Sequence, residues 1–217
     1  MRFPWSRRDE DAPPKEAKSL AHQVIEFVVI IAVALGLALL IQAFLVKPYR
    51  IPSGSMEPTL KIGQRVLVNR LGNNFGNPSV GDIIVFHPPA GAANNDAPCG
   101  VRITTDEPCP KSINREDTST NFIKRLVAGP GDTIKIIHGH LYRNGVREKD
   151  GYIRPCMDNG DTCDLPHPVK IPPGHYFMMG DNRGASDDSR FWGAIPRSWI
   201  IGQAFFTYWP PSRIGFL

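Results

Sequence analysis

The feature that most constrains this chain is a long apolar run near its N-terminus, Phe27 to Val46. It reads FVVIIAVALGLALLIQAFLV, and only Gly36 and Gln42 interrupt its apolar character. An α-helix rises about 1.5 Å per residue, so the run can cross the ~30 Å hydrocarbon core of a membrane. A cleaved secretory signal would have a shorter apolar core, and a buried soluble helix is seldom apolar on every face. We therefore expect a transmembrane helix over residues 23–46, after a charged cytoplasmic tail at residues 1–22.

The cysteines indicate on which side of the membrane the rest of the chain lies. All four follow the apolar run and form two close pairs, Cys99 with Cys109 and Cys156 with Cys163. Local disulfides fit an oxidising compartment, whereas a zinc site favours tighter Cys-x-x-Cys spacing or nearby histidines. Lysine and arginine flank the run on both sides, so the positive-inside rule leans only weakly toward a cytoplasmic N-terminus. We expect two disulfides, and we expect residues 47–217 to lie outside the cytoplasm.

The extracytoplasmic part has the pattern of a mainly β domain. Short β-rich segments alternate with turn residues, and we predict strands at 65–70, 82–87, 121–127, 133–137, 140–145, 175–180 and 202–209. Residues 88–120 and 146–173 are predicted to be loop insertions, and each contains one cysteine pair. The net charge of +4 comes from scattered basic residues, which argues against nucleic acid as a partner.

The stretch IPSGSMEPTL, residues 51–60, follows the apolar run almost directly. It is either a turn between an anchor and a domain or the site of a nucleophilic serine. A serine hydroxyl is a weak nucleophile and needs a base. None of the six histidines has an Asp-Ser context, and the chain contains neither GxSxG nor HExxH, so an α/β-hydrolase elbow and that type of zinc peptidase are both unsupported.

Lysine is the other base that a serine can use. Lys124 lies in NFIKRLV, where strand alternation would place Phe122, Lys124 and Leu126 on one face. To act as a base, a lysine must lose about three pKa units through burial. From the residues alone, Lys124 is either a surface lysine on a strand or a desolvated base.

The stretch GDNRGASDDSRFWG, residues 180–193, concentrates polar side chains after an apolar strand. It is either a solvated turn with local hydrogen bonds or a set of buried ion pairs and hydroxyls that fix a catalytic group. Composition does not decide between these two interpretations.

Together these stretches resemble the bacterial type I signal peptidase (leader peptidase) family. The matches are, in order, the apolar anchor, PSGSMEPTL, GDIIVF, FIKRLVAGPGD and GDNRGASDDSRFWG. They extend over residues 27–196, and the first and last polar motifs are highly specific. The resemblance implies a signal-peptidase-like β domain with a Ser–Lys dyad and no metal or organic cofactor.

The resemblance also implies a role for individual residues. Ser55 is expected to be the nucleophile and Lys124 the general base, with Ser53 and the Ser55 N–H forming the oxyanion hole. The supporting residues are expected to be Ser186, which orients Lys124, the ion pair of Asp188 with Arg190, and Asn182, which helps to hold the loop of these residues. The pockets for the substrate's small residues are expected from Ile51, Pro52, Met56, Leu60, Phe122 and Ile123. Independently of the resemblance, Gly54 can adopt a backbone conformation closed to other residues, which would suit a serine presented at a turn.

The function that the resemblance implies is removal of signal peptides from exported preproteins after small-x-small sites such as Ala-x-Ala, through an acyl-enzyme. The expected place is the bacterial inner membrane, as a single-pass protein with its catalytic domain on the periplasmic side. The expected partners are signal peptides, membrane lipid and the protein-export machinery. The alternatives are a specialised Ser–Lys peptidase of a conjugation or pilus secretion system, and a non-catalytic membrane-anchored β binding domain.

Overall fold

The structure is a computed structural model that describes residues 19–71, 76–94, 96–102, 108–156 and 163–217, without the side chains of residues 40–44. Most of the predicted tail and parts of both predicted insertions lie outside the described residues. The chain divides into two units, the first ending at Ile41 and the second formed by Gln42–Leu217.

One long helix, α1 (Leu20–Phe44), contains the apolar run. Its segment Leu20–Leu39 is exposed and is long and apolar enough to cross a membrane, by length and composition. The helix begins three residues before the predicted start and ends two residues before the predicted end. It ends there because Val46 already belongs to the first strand. The membrane crossing itself stays a prediction.

The second unit is built from antiparallel strands, so the predicted mainly β fold is confirmed. The strands are β1 (Val46–Arg50), β2 (Arg65–Asn69), β3 (Ile83–Phe86), β4 (Phe122–Ala128), β5 (Thr133–Ile137), β6 (His140–Arg143), β7 (Val146–Arg147), β8 (Leu165–Lys170), β9 (His175–Met179), β10 (Ile195–Pro196), β11 (Ile200–Trp209) and β12 (Gly215–Phe216). A one-turn helix, α2 (Ser189–Trp192), lies between β9 and β10.

The strands form two sheets. The larger has the order β1-β2-β11-β3-β4-β9-β10, with β12 also paired to β11, and the smaller has the order β7-β6-β5-β8. All seven predicted strands are present. Prediction missed β1, β7, β8, β10 and β12, because β7, β10 and β12 have two residues each and β1 and β8 contain proline, which is unfavourable in strand interiors.

Strand β4 is the element that positions the candidate site. It pairs with β3 along Phe122–Arg125, whereas its pairing with β9 begins only at Arg125. Among the described strands, none pairs with Phe122–Lys124 on the β9 side. The first half of β4 therefore has an open edge.

The two faces of that half-strand contact different apolar clusters. Ile123 packs against the cluster of Ile51, Met56 and Leu60. Phe122 packs against another cluster, and its ring centroid lies 5.8 Å from that of Trp192. This separation follows from the alternation of side chains along a strand.

Candidate active site

Ser55 lies in a single 3-10 turn, Gly54–Met56, shortly after β1. The neighbouring side chains Ile51, Met56 and Leu60 are almost completely buried. These apolar residues of IPSGSMEPTL therefore pack the turn against the core. Ser55 itself is 7% exposed. Gly54 does not use the conformational freedom of glycine, because its φ is not positive, and the nearest atom that an added Cβ would meet is in the Glu57 side chain, at an ordinary 3.5 Å.

Lys124 is brought to Ser55 by β4. Its Nζ donates a hydrogen bond to the Ser55 Oγ at 2.6 Å, although the two residues are 69 positions apart. Lys124 is 5% exposed. Burial lowers the pKa of the Lys124 amine to about 8, against the opposing effect of the Asp188 and Asp187 carboxylates. Of the two interpretations of Lys124, the structure has the desolvated amine.

Ser53 lies beside the same hydroxyl. The Ser53 Oγ donates to the Ser55 Oγ at 3.3 Å, and Ser53 is exposed. A second hydroxyl therefore lies next to the position that an attacking serine oxygen would occupy.

The expected hydrogen bond between Ser186 and Lys124 is absent. The Ser186 Oγ is buried and has no hydrogen-bond partner among the described residues. It lies against Gly180, where an added Cβ would overlap both the Ser186 Oγ and the carbonyl oxygen of Ser55. The Lys124 amine is directed at Ser55 instead, so the expected role of Ser186 is corrected on this point.

Asp188 and Arg190 form the ion pair that the resemblance implied. The Arg190 Nε donates to the Asp188 Oδ1 at 2.8 Å, and Asp188 is fully buried. Burial alone would raise the pKa of Asp188, but the Arg190 guanidinium and the Gly180 N–H hold it below its usual range. The same guanidinium donates to the carbonyl oxygens of Arg183 and Ser186. The pair thereby fixes the backbone of residues 183–190.

Asn182 contacts the serine turn directly. Its backbone N–H donates to the Ser55 carbonyl at 3.0 Å, and its Nδ2 donates to the Gly54 carbonyl at 3.1 Å. The resemblance implied that Asn182 helps to hold its own loop. Its contacts extend to the turn that presents Ser55.

A buried cluster that sequence reasoning missed links all three motifs. The Asp181 carboxylate is fully buried and accepts from the Arg125 Nε at 2.8 Å, the Arg125 Nη2 at 2.6 Å and the Thr59 Oγ1 at 2.5 Å. These residues belong to the 180–193 loop, to β4 and to the IPSGSMEPTL stretch. One signal was available in the sequence, because a buried aspartate needs a cation and Arg125 is adjacent to Lys124.

The six residues predicted to line the substrate pockets do not all lie together. Ile51, Met56 and Leu60 are buried in one cluster, and Ile123 packs against it. Pro52 is exposed. Phe122 lies on the opposite face of β4, against Trp192, because it is one residue away from Ile123.

Both cysteine pairs are joined as disulfides in the structure, Cys99 with Cys109 and Cys156 with Cys163. The second disulfide lies beside the 180–193 loop, since the Cys163 Sγ is 3.9 Å from the Arg183 carbonyl oxygen. The segment just before this disulfide also contacts the 180–193 loop, because the Arg154 backbone N–H donates to the Asp181 carbonyl at 2.8 Å.

Known proteins resemble this chain over most of its length. A family model described as signal peptidase, peptidase S26, matches residues 24–209. Probable signal peptidase I-1 of Synechocystis sp. is 40% identical over 191 residues, which are 88% of this chain and 85% of that protein. Probable signal peptidase I-2 of the same organism is 33% identical over 214 residues, 98% of this chain and 82% of that protein. A solved structure, signal peptidase I from Enterococcus faecalis V583, has 25% identity and a TM-score of 0.41, covering 59% of this chain and 97% of that chain.

A buried amine hydrogen-bonded to a serine hydroxyl is a pair suited to nucleophilic catalysis, and the relatives identify the class as a serine endopeptidase. The chain belongs to the signal peptidase family, peptidase S26. The resemblance seen in its motifs is thereby confirmed. Family membership supports the removal of signal peptides from preproteins, and the apolar N-terminal helix is consistent with membrane anchoring.

Proposed function

We propose that this protein cleaves preproteins after small-x-small sites such as Ala-x-Ala, with Ser55 as the nucleophile and Lys124 as the general base. The observation that carries the proposal is the 2.6 Å hydrogen bond between the buried Lys124 Nζ and the Ser55 Oγ. With its pKa lowered to about 8, about a tenth of Lys124 is neutral at pH 7. An ordinary lysine would have well under a thousandth in that form.

The reaction needs two proton transfers in each half. The neutral Lys124 amine accepts the Ser55 proton as the Ser55 oxygen bonds to the carbonyl carbon of the residue before the cleaved bond. Lys124 then gives that proton to the departing amine of the mature protein, which leaves an acyl-enzyme on Ser55. In the second half, Lys124 accepts a proton from water as the water attacks the ester, and it returns a proton to the Ser55 oxygen. No cofactor is required for these steps.

The developing oxyanion needs donors beside the Ser55 oxygen. The Ser53 hydroxyl, 3.3 Å from that oxygen, and the backbone N–H of Ser55 are the proposed donors. Ser53 is exposed, so its hydroxyl is free to turn toward a bound substrate.

The signal peptide is proposed to bind as an added strand on the open edge of β4, at Phe122–Lys124. Side chains at the first and third positions before the cleaved bond would share one face of that strand. On the Ile123 face lies the buried apolar cluster of Ile51, Met56 and Leu60, against which only small side chains are proposed to fit. Pro52 forms the rim of this binding face.

The proposed location is the bacterial inner membrane, with α1 as the anchor and the catalytic domain on the periplasmic side. Ser55 follows the end of the apolar run by nine residues, so the chain presents it close to a membrane surface, where a signal peptide emerges. The two disulfides favour an oxidising compartment. Membrane lipid and the protein-export machinery are the proposed surroundings.

The test is cleavage of a purified preprotein with an Ala-x-Ala site by the full-length protein in detergent. The wild type should give one product whose N-terminal sequence begins after the second alanine, and Ser55→Ala and Lys124→Ala should give none. The matched controls are Ser119→Ala and Lys135→Ala, which remove the same groups from exposed or partly exposed sites. Cleavage by folded Lys124→Ala at the wild-type rate would refute the dyad, and no cleavage by the folded wild type would refute the activity.

A further inference from the structure

A cavity beside the candidate active site takes no part in the proposed mechanism. It has a volume of about 380 Å³ and lies between the start of the first insertion and the 180–193 loop. Ala92, Ala97, Phe191 and Trp192 give it mostly apolar walls, and Asp187 adds a carboxyl group. Ser186, whose buried hydroxyl has no hydrogen-bond partner among the described residues, also lines the cavity. A carboxyl group and an unpaired hydroxyl group between apolar walls are features that packing alone does not explain.

Asp187 differs from the other two aspartates of its loop. Asp181 and Asp188 are fully buried, and each is paired with an arginine. Asp187 is half-buried, and within the described residues its carboxylate accepts no hydrogen bond. Burial and the neighbouring Asp188 raise the pKa of Asp187 to about 6, so the group is still mostly ionised at neutral pH. The cavity therefore offers a negative charge whose hydrogen-bonding capacity is unused.

The position of the cavity relative to a bound peptide follows from β4. Its lining residue Trp192 contacts Phe122, which is on the face of β4 opposite Ile123. A substrate strand on the open edge directs alternate side chains to these two faces. If the first and third residues before the cleaved bond occupy the Ile123 face, the second residue faces the Phe122 side, where the cavity lies.

Resting on the proposed function, we infer that this cavity is a specificity subsite in which Asp187 selects a basic side chain at the second residue before the cleaved bond. The walls suit the same ligand, because an aliphatic stem packs on the alanines and a guanidinium can stack on the exposed Phe191 ring. Arginine satisfies both the charge and the walls. An acidic residue at that position would face the Asp187 carboxylate and be disfavoured.

The experiment compares three peptides that differ only at the middle residue of the cleavage site: Ala-Arg-Ala, Ala-citrulline-Ala and Ala-Glu-Ala. Citrulline has the shape of arginine without its charge. The full-length enzyme in detergent is assayed at about pH 9, where Lys124 is mostly neutral in every variant. We expect kcat/KM to be about fivefold higher for arginine than for citrulline, as befits a partly exposed charge pair, and lowest for glutamate.

Three variants separate charge from structure. Asp187→Asn should cleave the arginine and citrulline peptides equally, while Asp187→Glu should keep the preference for arginine. Glu148→Gln removes the same charge from the loop after β7, where Glu148 pairs with Arg143, and should leave the preference unchanged.

The possible outcomes distinguish failure of the Asp187 subsite from failure of the proposed peptidase activity. Equal cleavage of the arginine and citrulline peptides by the wild type, or an unchanged preference in Asp187→Asn, would overturn the subsite and leave the peptidase intact. Absence of cleavage of every peptide would overturn both.

Discussion

Asn182 holds Ser55 through the backbone on both sides of the serine. Its own N–H donates to the Ser55 carbonyl at 3.0 Å, and its side-chain amide donates to the Gly54 carbonyl at 3.1 Å. Ser55 is thus fixed from the 180–193 loop as well as by the Lys124 amine. The loop determines where the serine oxygen lies relative to the amine.

We predict that Asn182→Ala lowers kcat about tenfold or more while changing KM little. The variant keeps the backbone hydrogen bond to Ser55 but loses the one to Gly54, so the serine turn is less well fixed. The free energy of unfolding should fall by about 1 kcal/mol, because a partly buried acceptor loses its donor. Asn114→Ala, at an exposed position, is the matched control. Full activity in Asn182→Ala would show that this hydrogen bond has no part in positioning Ser55.

We predict that kcat/KM rises with pH and levels off above about pH 8. Only neutral Lys124 can accept the Ser55 proton, and burial lowers the pKa of its amine to about 8. Below that pH the neutral fraction falls tenfold for each pH unit, so the logarithm of kcat/KM should have a slope near one there. The measurement is a pH–rate profile with a peptide that has no titrating group between about pH 6 and 10. A profile that is flat over this range would contradict a lysine base.

The neighbouring carboxylates allow the direction of the Lys124 pKa shift to be tested. Asp188, Asp187 and Asp181 raise the pKa of Lys124, whereas Arg190 lowers it further. Asp187→Asn removes one of the three negative charges, so the rising limb of the profile should move to lower pH. Movement to higher pH, or none, would mean that the Asp187 charge does not act on Lys124.

We predict that Gly180→Ala lowers activity by at least tenfold. The added methyl group would overlap the Ser186 Oγ and the Ser55 carbonyl oxygen, so the serine turn and the loop must move apart. Overpacking of this kind costs about 1–3 kcal/mol of stability. Gly151→Ala is the control, because an added Cβ there has open space and Gly151 has no positive φ. Equal kcat and melting temperature in the two variants would refute the close contact.

The elements that sequence could predict are those with a strong local signal. The apolar helix and the seven strands follow from hydrophobic patterning, and the motif order identified the family. Strands β1 and β8 contain proline and have weak local signals. They form because neighbouring strands β2 and β5 provide partners. Such pairing is a property of the folded chain and is absent from the local sequence.

In the candidate site, too, some features have a local sequence signal and others depend on the folded chain. Ser55 and Lys124 could be predicted from their motifs. Their 2.6 Å hydrogen bond could not, because it joins two residues that are 69 positions apart in the sequence. The role of Asp181 was missed, because its partners Arg125 and Thr59 come from two other motifs and its burial is a property of the folded chain. The expected bond of Ser186 to Lys124 was wrong, because the Ser186 Oγ has no hydrogen-bond partner among the described residues, whereas the Lys124 amine bonds to Ser55.

We predict that the Arg125–Asp181 pair contributes far more to stability than an exposed pair of the same length. Arg125 donates to the fully buried Asp181 at 2.6 Å, whereas Arg143 donates to Glu148 at 2.7 Å with both side chains 29% exposed. Arg125→Ala leaves an unpaired buried carboxylate and should cost about 3 kcal/mol or more. Arg143→Ala should cost at most about 1 kcal/mol.

Chemical denaturation of these variants and of the two double mutants provides the measurement. For the buried pair, Arg125→Ala combined with Asp181→Ala should destabilise the protein by less than the sum of the single changes, because removing the carboxylate also removes the unpaired charge. The exposed pair should be nearly additive. Additive effects at Arg125 and Asp181 would mean that their ion pair does not join β4 to the 180–193 loop, and Lys124 and Asn182 would then be positioned by other contacts.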